Sequence, residues 1–354
     1  LLYYEVTYLH SLGNLFTGLQ LIMAGICRQE TGSEDLAQPI LYNKNRDGVA
    51  KRVILVIPSG SRDSWRIKLK VYLDCIPCFL RQALEAARMA TDDEDTHLRV
   101  LKSVAGVIPK LPLDATPPEI AQQVYRIVAD ITGNRDPCYE AKQQANQLAL
   151  SLYPHFKDAI ASSDDPLLVA CKLAIAGNSI DLAPQSNYGD PVSIAESALV
   201  SPLGIDDYEE FKRSIESSSR ILYLGDNAGE IVFDRMLIEE LQRIKDFEIH
   251  YVVREKPIIN DATLDDAIST GMDKVAKVVP NGSDAPATIL SQCSPQMLQL
   301  YHSADIIIAK GQGNYESLND EAKNIFFLLR VKCPIIARLL STKVGDAVLK
   351  RQHI

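Results

Sequence analysis

Two hydrophobic rhythms divide the chain. From residue 78 to about 219 apolar positions recur at three- and four-residue steps, as in Phe79-Leu80, Ala83-Leu84 and Ala87, and again at Ile120, Val124, Ile127 and Ile131. That period gathers them on one face of each helix and predicts an all-helical region. Pro109, Pro112, Pro117 and Pro118 punctuate it, and the acidic runs 92–95 and 164–165 read as solvated turns.

After Ser219 the rhythm shortens. Apolar, β-rich runs at 221–224, 249–253, 275–279, 305–309 and 334–337 alternate with helical stretches. Strands separated by helices predict a parallel sheet with crossover connections. Segment 231–244 reads as one crossover helix, with Phe233, Met236, Leu237, Leu241 and Ile244 on one face and Glu239, Glu240 and Arg243 mostly elsewhere. The expected organisation is an atypical extension over 1–66, a helical domain over 67–219 and an α/β domain over 220–354.

Composition narrows the function classes. The 354 residues, 46% hydrophobic and 23% charged, describe a globular chain and exclude disorder, collagen and coiled coil. With 37 Lys and Arg against 46 Asp and Glu, the net charge is -9. No general electrostatic attraction for nucleic acid or an anionic membrane is expected, so a small anionic substrate needs a local positive site. Seven scattered cysteines form no dense disulfide framework, which suits a reducing, cytoplasmic setting. The apolar stretch 15–27 is interrupted by Thr17, Gly18 and Gln20 and is shorter than the roughly 20 residues a membrane span needs. No Lys or Arg precedes it, so a secretory signal is not expected; the chain opens on Leu1, and its first residues read as a fragment or a translated upstream stretch.

Ligands of open α/β sheets sit beyond the carboxyl ends of the strands. Those ends are unusually polar here. They carry Gly225-Asp226-Asn227-Ala228-Gly229-Glu230, then Arg254-Glu255-Lys256 leading to Asn260-Asp261, then Pro280-Asn281-Gly282-Ser283-Asp284, and last Lys310-Gly311-Gln312-Gly313-Asn314-Tyr315-Glu316. Each piece has a structural explanation alone: Asn227 with Glu230 fits a capping box, and Asp261 fits a cap for the next helix. Their convergence on one sheet edge, with the cations Arg254 and Lys310, points instead to a site.

Asp226, Asn227 and Asp261 are hard oxygen donors without a matching histidine or thiolate cluster, which suits Mg²⁺ or Mn²⁺ better than structural zinc. Gly311 and Gly313 permit close backbone approach, so that amides there cradle a phosphate while Lys310 supplies a point charge. A cation beside a phosphate cradle indicates phosphoryl chemistry. Other motifs fall away. Glu316 stands where a third glycine of a dinucleotide fingerprint belongs, and neither a Walker A run nor a Gly-x-Ser-x-Gly elbow occurs. Cys75-x-x-Cys78 is a single pair, compatible with zinc or redox chemistry but more simply with packing.

Taken in order, the motifs resemble those of the ARMT-like damage-control phosphatases, formerly domain of unknown function 89, over about residues 70–350. They are Asp74-Cys75-Ile76-Pro77-Cys78-Phe79, Gly133-Asn134-Arg135-Asp136-Pro137, Gly177-Asn178-Ser179-Ile180-Asp181, the runs at 225–230, 254–263 and 310–316, and Lys332-Cys333-Pro334. The resemblance implies a helical domain before a Rossmann-like, mostly parallel α/β domain, and metal-dependent hydrolysis of small phosphate monoesters such as sugar phosphates or damaged phospho-metabolites. It implies Asp226, Asn227 and Asp261 as ligands of a divalent metal (Mn²⁺, Co²⁺, Ni²⁺ or Mg²⁺), with Lys310 at the substrate phosphate. Asn178 and Asp181 are then expected to approach the cleft from the helical side, with Arg254, Gly311, Gly313 and Asn314 also on the substrate. Two departures stand out: Cys138 replaces an aromatic expected after Asp-Pro, and residues before about 66 lie outside the pattern.

The expected mechanism is in-line attack of a water activated by the cation, with Lys310, Arg254 and the 311–313 amides neutralising the equatorial oxygens. A haloacid-dehalogenase-like route through a phospho-Asp226 is one alternative, although its second Asp falls at Ala228. An S-adenosylmethionine-dependent carboxyl methyltransferase is another, with Gly225-Asp226 as an adenosine turn, and a catalytically dead binding module is a third.

Overall fold

The computed structural model describes residues 21–23, 40–44, 50–54, 69–112, 114–177 and 191–352. The chain divides into two compact units, Leu1–Ser64 and Trp65–Ile354. In the first, β1 (Leu21–Met23), β2 (Ile40–Lys44) and β3 (Ala50–Ile54) form an antiparallel sheet with β2 central.

The second unit opens with three helices, α1 (Cys75–Ala90), α2 (Glu94–Val107) and α3 (Pro117–Thr132). Their boundaries follow from local chemistry. Asp93 accepts hydrogen bonds from the amides of Asp95 and Thr96 at 3.3 and 3.2 Å, so one predicted acidic turn is a helix cap. Thr116 and Glu119 form a capping box with Pro117 in the first turn, and Gly133 closes α3 at φ +74°. The apolar stripes of the three helices meet around Phe79, Ala83, Val100, Val104, Ile120 and Val124.

Four helices follow, α4 (Tyr139–Ala161), α5 (Pro166–Gly177), α6 (Pro191–Val200) and α7 (Tyr208–Ser217), with the short strand β4 (Ile205–Asp206) before α7. Alternation then begins: β5 (Arg220–Leu224), α8 (Glu230–Ile244), β6 (Glu248–Val253), α9 (Leu264–Ser269), β7 (Lys277–Pro280), α10 (Pro295–Ser303), β8 (Ile306–Lys310), α11 (Gly311–Leu318), β9 (Ile325–Arg330), α12 (Pro334–Leu340) and β10 (Ala347–Arg351). The sheet order is β4-β10-β9-β8-β5-β6-β7. Every pairing is parallel except that of β10 with β9.

Strand residues alternate between two cores, as period two requires. Ile221, Tyr223, Ile306 and Ile308 pack with residues of α4, α5, α7 and α8. Leu222, Leu224, Ile307 and Ala309 pack with residues of α10, α11 and α12. Burying each such side chain contributes about 1.5–3 kcal/mol. Helix α8 packs against α4 and α5, and Glu240, paired with Lys157 of α4 at 3.0 Å, is 4% exposed, whereas Ile244, expected on the buried face, is 47% exposed at the helix end.

The first four expected strands are found within two residues. The fifth is not: residues 334–337 begin a helix, because Pro334 occupies its first turn, where no amide hydrogen is needed, after Cys333 as N-cap. The sheet instead gains β9, a continuous apolar run, and β10, which returns antiparallel to it. Among the described residues no helix is long and apolar enough to cross a membrane.

Candidate active site

The chain leaves β5 towards β6 and β7 on one side, then returns to place β8 on β5's other side. The strand order therefore reverses between β5 and β8, and the loop ends there diverge to leave a crevice. Asp226 and Asn227 follow β5, while Gly311 follows β8. A cavity of about 650 Å³ occupies this edge, roofed by α1 and α3 and floored by the strand ends. Asp226, Asn227, Asp261 and Gly313 all line it, so the three expected oxygen donors reach one cavity.

Backbone pairing brings the donors together. Asn227 and Asp261 form an antiparallel bridge, the Ala228 amide donates to the Asn260 carbonyl at 2.9 Å, and the Ala262 amide donates to the Asp226 carbonyl at 2.8 Å. Neither expected cap forms: Gly229 is the N-cap of α8, and Thr263 with Asp266 caps α9. Asn227 and Asp261 therefore do not serve as helix caps. Helix α4 holds both loops from behind, since Asn146 accepts from the Gly229 amide at 2.7 Å and donates to Asp266 at 2.8 Å.

The two carboxylates are crowded. Burial, then the charges of Glu230 and Asp261, push Asp226 up to about 7. Burial also raises Asp261, against the opposing pull of Arg254, whose Nε donates to Asp261 Oδ2 at 2.6 Å. Asn227 Nδ2 donates to Asp226 Oδ2 at 3.1 Å and to Glu230 Oε2 at 3.3 Å, and these two acceptors fix which amide atom is nitrogen. Its Oδ1 accepts no hydrogen bond from the described residues. Two compressed carboxylates and a spare amide oxygen on one cavity wall are a fitting donor set for a hard divalent cation. No three His, Cys, Asp or Glu side chains cluster as a metal nest among the described residues; this set depends on its amide.

Several expected substrate contacts lie elsewhere. Lys310 is the last residue of β8 and fully buried, and its Nζ donates to Glu230 Oε1 and Asp234 Oδ1, both at 2.5 Å, and to the Ala174 carbonyl at 2.8 Å. Burial opposes its charge, but Asp234 and Glu230 outweigh it and raise the lysine above its ordinary value. Lys310 is thus a buried counter-ion under the site instead of a phosphate contact. Arg254, 1% exposed, sits behind Asp261. Arg254 and Asn314 both grip the Gly225 carbonyl, each at 3.3 Å, and so hold the turn into Asp226. Gly311 faces the Asp226 carboxylate, which explains its missing side chain. Asn178 and Asp181 lie outside the described residues.

Lys332, to which the sequence pattern gives no role, lines the cavity, and its charge lowers the proton affinity of both Asp226 and Asp261. Gln312 fixes it in place, accepting from the Lys332 amide at 2.9 Å while donating to Glu316 at 2.8 Å. Burial pushes that Glu316 up to about 7. Cys75, Cys78 and Cys333 also line the cavity as free thiols. Burial raises Cys75 and Cys333, so neither is activated as a thiolate. Cys138 is buried, with Sγ 3.9 Å from Met89 Sδ.

Residues 71–348 match the Damage-control phosphatase ARMT1-like domain. The chain is 34% identical over 285 residues to a damage-control phosphatase of Pyrococcus horikoshii, covering 80% of this chain and 98% of that one. It is 35% identical over 291 residues to a damage-control phosphatase of Archaeoglobus fulgidus, covering 80% and 99%. An uncharacterized protein of Methanocaldococcus jannaschii is 38% identical over 294 residues, covering 80% and 96%. The crystal structure of a DUF89 family protein from Pyrococcus horikoshii superposes with a TM-score of 0.75 at 33% identity, covering 80% of this chain and all of that one.

Proposed function

This chain belongs to the damage-control phosphatase ARMT1-like family, and we propose that it is a metal-dependent phosphatase of small phosphate monoesters, sugar phosphates or damaged phospho-metabolites. The observation that carries this reading is the meeting of Asp226, Asn227 and Asp261 on one cavity at the strand-order reversal.

Asp226, Asp261 and Asn227 Oδ1 would hold the cation, Mn²⁺, Co²⁺, Ni²⁺ or Mg²⁺. When bound, such an ion supplies Lewis-acid polarisation of a phosphoryl oxygen and acidification of a water. The chain's own residues do the rest. Lys332 offers a positive charge to the phosphoryl oxygens, and Gln312 and Gly313, opening α11, present a helix N-terminus to the same anion. Arg254, buried behind Asp261, keeps that carboxylate oriented toward the cavity wall. The roof of α1 and α3 limits water access to the strand ends.

The alternatives gain no support from a specific observation. An aspartyl-phosphate route has the buried methyl of Ala228 where its second carboxylate belongs. Gly225 has a packing reason, since an added Cβ would lie 2.5 Å from the Tyr251 hydroxyl, and no adenosine is required to explain it. The test is phosphate release from p-nitrophenyl phosphate: activity is lost with chelator, returns with Mn²⁺ or its neighbours, and is absent in Asp226→Ala and Asp261→Ala. Full activity in folded forms of both variants would overturn the reading.

A further inference from the structure

The catalytic cavity has a neighbour. Tyr125 and Ile259 line it and also line a second cavity of about 340 Å³ between the end of α3 and the loop after β6. Ile259 adopts φ +49°, a left-handed conformation that β-branched residues avoid. Strain of this kind persists where the surroundings hold it in place, and here it falls on the wall shared by the two cavities.

The charges around the second cavity are unevenly matched. Asp284 is taken by Arg126, at 2.9 and 2.7 Å, and by Gln122 at 2.6 Å. Asp136 Oδ2 is taken by the buried Lys142 at 3.1 Å. Exposed Asp130 acts on Arg126. Arg135 and Lys256, both exposed, line the same cavity and make no ion pair or hydrogen bond among the described residues. Exposed cations alone would be ordinary solvated surface. Their place sets these two apart, because the cavity they line shares Tyr125 and Ile259 with the catalytic one.

We propose that this adjoining cavity is a subsite for a second anionic group of the substrate. A polyhydroxylated phosphate ester places its scissile phosphate at Asp226 and Asp261 and passes Tyr125 and Ile259. Its far phosphate or carboxylate then meets Arg135 and Lys256. This deepens the phosphatase reading and rests on it. The preferred substrate class is therefore sugar bisphosphates or phosphorylated sugar acids over neutral-tailed monoesters.

The test compares glucose 1,6-bisphosphate with glucose 1-phosphate, by kcat/KM with Mn²⁺ and by equilibrium binding, in the full chain and in Arg135→Ala/Lys256→Ala. Both positions are exposed, with no ion pair among the described residues, so the variant should fold. The full chain is expected to favour the bisphosphate by roughly tenfold or more, and the variant's ratio to fall towards one. An equal preference for the two esters, or a ratio unchanged in the variant, overturns the subsite. Binding preference without turnover counts against the phosphatase reading alone, and turnover without preference counts against the subsite alone.

Discussion

Gly311 lies against Asp226 so closely that a Cβ at position 311 would sit 1.9 Å from the carboxylate Oδ2. The backbone there has φ +78°, a conformation that side chains disfavour independently of the clash. Both facts make the glycine a gauge of the Asp226 position. Gly311→Ala is expected to displace the carboxylate, to cost about 1–3 kcal/mol of stability from strain, and to lower kcat/KM by roughly a hundredfold. Unfolding curves and kinetics on the same preparation check it; an active, equally stable variant would show that Asp226 can move without consequence.

Lys310 gives a second, sharper test, because its two readings predict different things. As the counter-ion of Glu230 and Asp234 it is a stability residue, and Lys310→Ala leaves two buried carboxylates without it. Breaking such a pair costs about 3–5 kcal/mol, visible as a large drop in the urea midpoint. Glu230 also accepts from Asn227, so metal affinity should fall with it. A phosphate contact would raise KM and leave unfolding untouched, and that result would restore the sequence expectation.

The difference between those readings shows where sequence stops. Strand positions, the crossover helices and the polar strand ends are written in local periodicity, so β5 to β8 and the approach of Asp226, Asn227 and Asp261 could be anticipated. Orientation at a strand's last residue is subtler. Lys310 shares parity with Ile306 and Ile308, whose side chains pack with residues of α4, α5 and α8, so it points at that face, where Glu230 and Asp234 sit one turn apart. Lys332 is harder to place, since the hydrophobic rhythm marks no strand at β9 and predicts one at 334–337. Its place in the cavity depends on β9 ending beside Gln312, a relation between segments that neither segment states alone.

Lys332 should behave as the residue that meets the anion. It is exposed, its side chain has no hydrogen bond or ion pair among the described residues, and Lys332→Ala is expected to leave stability within about 0.5 kcal/mol. Activity should fall by roughly 10- to 1,000-fold in kcat/KM, as for loss of one charge-stabilising donor, with partial recovery in Lys332→Arg. A Lys332→Ala enzyme with unchanged kinetics removes the lysine from the site.

Protons and metal should compete for the same oxygens, and the sign follows from the direction of the shifts. Burial and neighbouring negative charge raise Asp226 to about 7, from an ordinary 3.8. Between those values the folded metal-free chain binds more protons there than the unfolded one, so this group's contribution makes stability fall as pH rises, levelling above about 7. A cation reverses the trend, since it favours the ionised carboxylates and is itself displaced by protonation. Apparent Mn²⁺ affinity is therefore expected to weaken roughly tenfold per pH unit below neutrality for each proton displaced, and the thermal shift on adding Mn²⁺ to be larger at pH 8 than at pH 5.5. Calorimetric titrations across that range measure both. An affinity independent of pH would mean that Asp226 is already ionised at pH 5.5, or that the metal binds without it. Repeating the titration on Asp226→Asn, in which the proton competitor is gone and the oxygen ligand is kept, separates those two causes.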